Sequence, residues 1–188
     1  MTIEDTNRRS LNRSGFEQLC RDASIGLGLY DTSVLGSGQS VEFDGVLLEL
    51  QRCEGSDRLV LLAEMGAAAE DRKADIYEHL FLLQILSWAQ PGLRFGFNPD
   101  REALVMCLEA GCGPGANGAW LASVVRSMAA QVTRLRSTVL AGDTGPQGEG
   151  DSENPFQAAA EKFVAIYESS LAAAAPAQDP MTTNPVQA

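Results

Sequence analysis

Apolar positions along the chain switch between a helical period and a strand period, and each switch marks an element. Phe16, Leu19, Cys20, Ala23 and Leu27 recur at helical spacing, which predicts a first helix with one apolar stripe. Ser14-Gly15-Phe16-Glu17 has the form of a capping box, in which the hydroxyl and the carboxylate each take an orphan backbone N–H. The helix is therefore expected to start there and to end near Gly26 or Gly28. After the Gly/Ser-rich residues 35–40, Val41-Glu42-Phe43 alternates, Asp44-Gly45 reads as a two-residue hairpin turn, and residues 46–51 alternate again. Glu54-Gly55-Ser56-Asp57 makes a second turn, and the continuously apolar residues 59–65 fit a central strand. Three antiparallel strands in a meander are predicted.

Residues 74–90 return to the helical period, with Tyr77, Phe81, Ile85 and Trp88 on one side and Ile76, Leu80 and Leu83 on another. One face can cover the sheet. Leaving the other in water would forfeit roughly 1.5–3 kcal/mol for each large side chain, so a second surface is expected to cover it. A fully buried central helix would show the same pattern. A body of three helices and five short strands has too little material to wrap a helix on every side, so a dimer seam is the preferred reading. Pro91-Gly92 stops this helix, and Leu93-Arg94-Phe95-Gly96-Phe97 alternates into the turn Asn98-Pro99-Asp100-Arg101. The return strand, residues 103–109, completes a second hairpin. Leu121, Val124, Val125, Met128, Val132, Leu135 and Val139 then mark a long amphipathic helix whose opposite face carries Arg126, Arg134 and Arg136. The fold class expected is α+β: an antiparallel five-stranded twisted sheet with helices packed against it, in the order α-βββ-α-ββ-α.

The chain has 188 residues, 45% hydrophobic and 21% charged, which suits one globular domain with tails. The organisation expected is a flexible arm over residues 1–13, an α+β domain over 14–141, a linker over 142–155, an amphipathic helix over 156–175 and a disordered tail over 176–188. Phe156, Ala159, Ala160, Phe163, Tyr167 and Leu171 make the stripe of that last helix, which needs a docking place to be stable. A formal charge of −11 repels phosphate backbones and anionic lipid, so nucleic acid is not an expected partner. No apolar run approaches the roughly 18 residues of a membrane span, and the polar N-terminus has no signal-peptide core, so no membrane insertion and a cytoplasmic location are expected. Cys20, Cys53, Cys107 and Cys112 contain no C-x-x-C pair and lie in or beside apolar segments, as reduced thiols do. With His79 far off in sequence, they do not make a zinc set, and no metal or other cofactor is expected.

Gly113-Pro114-Gly115-Ala116-Asn117-Gly118 spells G-x-G-x-x-G between a predicted strand and a predicted helix. A dinucleotide fold needs that helix to feed a second parallel strand, whereas here it runs on through Val139 into the linker. Tight hairpins before it build an antiparallel sheet, so the motif reads first as a Gly-rich connector. The alternative is a small-molecule or nucleotide-binding protein, or an enzyme, that uses residues 113–118. His79 is the only histidine, and there is no G-x-S-x-G elbow and no Cys with a plausible His partner. Glu70-Asp71 and the pair Asp100 and Glu102 fall at a helix start and in a turn, where solvated charge is ordinary. Catalysis is not expected.

The order of elements resembles that of the class I type III secretion chaperones (Tir chaperone, or CesT, family). The likeness spans residues 15–139 and is carried by Phe16-x-x-Leu19 with Gly26-Leu27-Gly28-Leu29, by Val41-Glu42-Phe43-Asp44-Gly45-Val46-Leu47-Leu48-Glu49-Leu50, and by Leu59-Val60-Leu61-Leu62-Ala63. The leucine-rich second helix and Leu93-Arg94-Phe95-Gly96-Phe97 paired with Ala103-Leu104-Val105-Met106 complete it. The resemblance implies a non-catalytic homodimer that binds the N-terminal segment of a secreted effector protein and keeps it extended for export. The export-apparatus ATPase is a further partner of the kind it implies. The family's dimer seam maps onto Tyr77, Phe81, Ile85, Trp88 and Phe95. Effector contacts would fall on the first helix and the sheet, at Phe16, Leu19, Val41, Phe43, Leu48 and Leu50, each equally explicable as core. A half-covered sheet with a free edge is in any case a template for strand addition by an extended peptide. The helix expected within 156–175 has no counterpart in the family pattern, and its stripe is expected to occupy a groove on the body when no effector is bound.

Overall fold

The computed structural model describes residues 12–87, 92–113 and 115–141. Helix α1 (Arg13–Leu27) begins two positions earlier than the capping-box reading placed it. Its N-cap is Asn12, whose side chain accepts from the Gly15 N–H at 2.7 Å, while Glu17 turns outward to pair with Arg13 at 2.9 Å. Asparagine serves the cap as well as serine does, and once Asn12 holds the Gly15 N–H the proposed Ser14–Glu17 box has no work left. Gly28 closes the helix in the left-handed region, φ 73°, a conformation that costs glycine nothing.

Strands β1 (Val41–Phe43), β2 (Val46–Arg52) and β3 (Arg58–Gly66) form the meander. Asp44 and Gly45 both have positive φ, 49° and 72°, which is the turn whose twist matches a two-residue hairpin. Helix α2 (Lys73–Leu86) follows, then β4 (Leu93–Asn98) and β5 (Ala103–Gly111). The five strands pair antiparallel throughout, in the order β1-β2-β3-β5-β4. Helix α3 (Gly118–Leu135) packs on α1 and on β3, and ends in a π-type turn over Arg136–Leu140. The expected α+β class, strand count and element order are those observed.

The central strand β3 is apolar along most of its length, yet its side chains alternate in depth. Leu59, Leu61, Ala63 and Met65 are fully buried, while Val60, Leu62 and Glu64 are only half-buried. The cause is that helices cover one face of the sheet. That inner face, with Val46, Leu48 and Leu50 of β2 and Leu104, Met106 and Leu108 of β5, meets Phe16, Leu19 and Ala23 of α1 and Leu121, Val125, Met128 and Val132 of α3 in a single core.

Two of the three arginines expected opposite the apolar stripe of the third helix serve the fold. Arg136 donates to the backbone carbonyls of Met65 (3.0 Å), Glu64 (2.8 Å) and Gly45 (2.6 Å). It thereby ties the end of α3 to the end of β3, where the register slips at Glu64 and Gly66, and to the first hairpin turn. Arg126 donates to the Gly26 carbonyl at the end of α1. A guanidinium fork reaches several acceptors at once, and periodicity records only that the residue is polar.

Candidate interaction surface

Helix α2 is where the apolar pattern and the fold disagree about what is inside. No glycine or proline interrupts it, and Asp75 sits favourably in its first turn. Ile76 and Leu80, one turn apart, are buried, and Tyr77 and Leu83 are half-buried against the core. Phe81 and Ile85, again one turn apart, are 67% and 66% exposed, with Leu82 beside them at 38%. On β4, the strand α2 packs against, Phe97 is 49% exposed. Water therefore meets four large apolar side chains on α2 and its neighbouring strand. Leu82 and Phe97 were not among the expected seam residues, although Phe97 stands in the alternating pattern that pointed to β4.

Gln84 joins α2 to the outer edge of β4. Its Nε2 donates to the Leu93 carbonyl at 3.0 Å and its Oε1 accepts from the Phe95 N–H at 2.9 Å. Nothing in the sequence pattern signals this role.

The opposite face of the sheet carries Leu47, Val60, Leu62, Val105 and Cys107 as a half-buried apolar stripe. Ion pairs flank it. Glu109 of β5 is held by Arg58 of β3 at 2.7 Å and by Arg94 of β4 at 3.9 Å, and Glu64 by Arg101 at 3.2 Å. The hydrogen bond from Arg58 keeps the Glu109 carboxyl below its usual range.

The sequence-predicted residues divide between these surfaces and the core. Phe16 and Leu19 are buried beneath α1, and Leu48 and Leu50 have no exposed surface, so these four side chains are core in the unliganded fold. Their alternation carries no mark that separates a groove from a core. Val41 and Phe43 are half-buried on the inner side of the edge strand β1. Tyr77 and Phe95 are half-buried, Phe81 and Ile85 exposed, and Trp88 lies outside the described residues. The linker over 142–155, the helix over 156–175 and the tail over 176–188 also lie outside them, as does nearly all of the 1–13 arm.

The Gly-rich connector has structural reasons for its composition. Asn117 caps α3 by accepting from the Trp120 N–H at 2.9 Å. Gly118 lies so close to α1 that a Cβ there would sit 2.8 Å from the Asp22 carbonyl carbon. The last glycine of the G-x-G-x-x-G string is thus a helix-packing residue, and a first-turn N–H that a phosphate would use is already occupied. Among the described residues, no three His, Cys, Asp or Glu side chains gather as metal ligands. All four thiols are free, and burial pushes Cys20 up to about 12 and Cys112 up to about 11, away from thiolate reactivity. His79 Nδ1 lies 2.5 Å from the Asp75 carbonyl oxygen one turn back along α2. No described helix is long and apolar enough to cross a membrane.

No protein-family model matches the sequence, and no curated protein does. Among the solved structures that share its fold are two solved as complexes. One is a chain of the ExsC–ExsE complex, with a TM-score of 0.57 and 17% identity over 68% of this chain and 96% of that one. The other is a chain of the HopA1–SchA chaperone–effector complex, with a TM-score of 0.51 and 12% identity over 65% of this chain and 94% of that one. At such identities the likeness is one of fold, and it takes in nearly the whole of each matching chain.

Proposed function

We propose that this chain is a non-catalytic homodimeric chaperone that binds the N-terminal segment of a type III secreted effector and keeps it extended for export. The observation that carries the reading is the fold itself, shared over almost their full length with chains solved in two protein–protein complexes, one of them a chaperone with its effector. Sequence resemblance and fold likeness point the same way.

The surfaces suit the task. A second copy seated on α2 would cover Phe81, Ile85, Leu82 and Phe97, with Tyr77, Phe95 and Trp88 at the same seam. Edge strand β1 is the proposed seat of the guest. Phe43 and Val46 flank a two-residue turn and exchange hydrogen bonds, so Val41 does the same with Leu48, and the N–H and C=O of Glu42 point away from the sheet. A guest strand bonding there would set its alternate side chains beside the half-buried Val41 and Phe43, in the alternating mode by which extended peptides add to sheets. Phe16, Leu19, Leu48 and Leu50 support that seat from beneath. Holding a segment as a strand delays its folding without any covalent step. The protein works in the bacterial cytoplasm, where the guest is made and handed to the export apparatus and its ATPase.

Deletion of the gene in the source cell tests the reading. Secretion of at least one effector should fall, and an N-terminal segment of that effector fused to a reporter should be exported only when the chaperone is supplied. An unchanged set of exported proteins would remove the proposal.

A further inference from the structure

The sheet is apolar on both faces, and the helices serve only one of them. Among the described residues, α1, α2 and α3 all send their buried side chains into the core on the inner face. On the outer face Leu47, Val60, Leu62, Val105 and Cys107 stay half-buried, contiguous across the adjacent strands β2, β3 and β5. The register sets one row across four strands as Glu49, Leu62, Cys107 and Arg94, that is, acid, apolar, apolar, base. Gly96 is the β4 neighbour of Val105, so β4 raises no side chain beside that valine and leaves room for a ring.

The chain itself supplies a matching piece. Residues 156–171 lie outside the described residues, and their sequence sets Phe156, Ala159, Ala160, Phe163, Tyr167 and Leu171 in one helical stripe about 22 Å long. In helical projection Glu161 and Glu168 fall to one side of that stripe and Lys162 to the other. The described chain ends at Ala141, with Leu140 beside the end of the central strand: a Cβ on Gly66 would lie 4.0 Å from Leu140 Cδ2. From Gly66 to Val60 is about 20 Å along β3, and passing from the helix layer to the outer face adds about 10 Å. Residues 142–155 can span up to about 46 Å, so the far end of the apolar patch is within reach. The exposed face of α2 suits the segment less, because Asp75 and Glu78 stand exposed near Phe81 and would meet its acids. We propose that the apolar stripe of residues 156–171 docks on the outer face of its own chain's sheet, with Glu161 and Glu168 towards Arg94 and Lys162 towards Glu49. The charges on its two sides fix the direction in which it lies. This contact leaves the α2 seam and the β1 edge open, and it holds whether or not the chain is a chaperone.

The four native thiols report on it. Cys107 lies under the proposed contact, Cys53 and Cys112 lie just beyond the ends of β2 and β5, and Cys20 is buried in the core. The full chain and its Phe163→Asp/Tyr167→Asp variant are treated with iodoacetamide at mildly alkaline pH, and the labelling rate of each cysteine is read by peptide mass spectrometry. Cys107 should react about tenfold faster in the variant, while Cys53 and Cys112 change less than about twofold and Cys20 stays unlabelled in both. Equal Cys107 rates in the two proteins overturn the proposal, whether the face is then bare or kept for another protein. Cys107 protection that fades on dilution of the wild type assigns the cover to a second copy and also overturns it. Should Cys20 become labelled in the variant, marking loss of the fold, Phe163→Ala/Tyr167→Ala makes the same comparison, and equal Cys107 rates there refute the contact.

Discussion

Replacing Phe81 by aspartate puts the proposed seam to its most direct test. In the isolated protomer Phe81 is 67% exposed and Ile85 66% exposed. Burying a large apolar side chain completely stabilises by roughly 1.5–3 kcal/mol, so enclosing the exposed two-thirds of Phe81 contributes about 1–2 kcal/mol. A two-fold seam counts it twice. Truncation to alanine should therefore cost about 2–4 kcal/mol of dimerisation energy and weaken the dimer about 30- to 1,000-fold. Aspartate adds the desolvation of two like charges facing each other, and should leave only monomer. The fold should survive, because a mostly exposed side chain contributes little to the protomer, whereas Leu80→Asp, at a position only 4% exposed, should prevent folding. Sedimentation equilibrium over a range of concentrations, with circular dichroism to confirm folding, reads both effects. Wild type should approach twice the 20.0 kDa chain mass and Phe81→Asp should remain at that mass. A folded Phe81→Asp that self-associates like the wild type would refute the α2 seam, and a wild type that is monomeric at high concentration would refute the dimer.

Gly118→Ala should lower stability in urea by about 1–3 kcal/mol, because its methyl group forces α1 and α3 apart at Asp22; an unchanged midpoint would return the glycine to the ligand-loop reading. Arg136→Met strands three backbone carbonyls and should cost about 2–4 kcal/mol, with Arg136→Lys recovering only part, since an ammonium cannot span all three; denaturation curves that overlay the wild type would show these bonds to be worth nothing. Cys20 is 1% exposed and its thiol is pushed up to about 12 from 9.0, so the fold favours the neutral form. That contribution is complete below pH 9.0 and is lost as pH climbs towards about 12, which means that wild type should lose stability along this arm faster than Cys20→Ala. Alkylation of Cys20 by iodoacetamide at mildly alkaline pH in the native protein would contradict its burial.

The order α-βββ-α-ββ-α was legible in the sequence because each of its signals is local. Side-chain period follows from backbone conformation, Asp44-Gly45 accepts positive φ wherever it stands, and the two apolar faces of α2 follow from 3.6 residues per turn. That α2 has apolar residues on two faces was equally legible, and in the single chain Phe81 and Ile85 are exposed. What no local signal could decide was which apolar positions lie under α1 and α3. Phe16, Leu19, Leu48 and Leu50 read alike as groove or core, and only the stacking of both helices on one face of the sheet makes them core. The same holds for polar residues: Asn12 rather than Ser14 caps α1, Arg136 gathers carbonyls from Gly45, Glu64 and Met65, and Gln84 bonds to the backbone of a strand nine to eleven residues further on. Hydrophobic patterning specifies what each segment must hide, whereas the partner of a hydrogen-bonding side chain exists only after segments distant in sequence have been brought together.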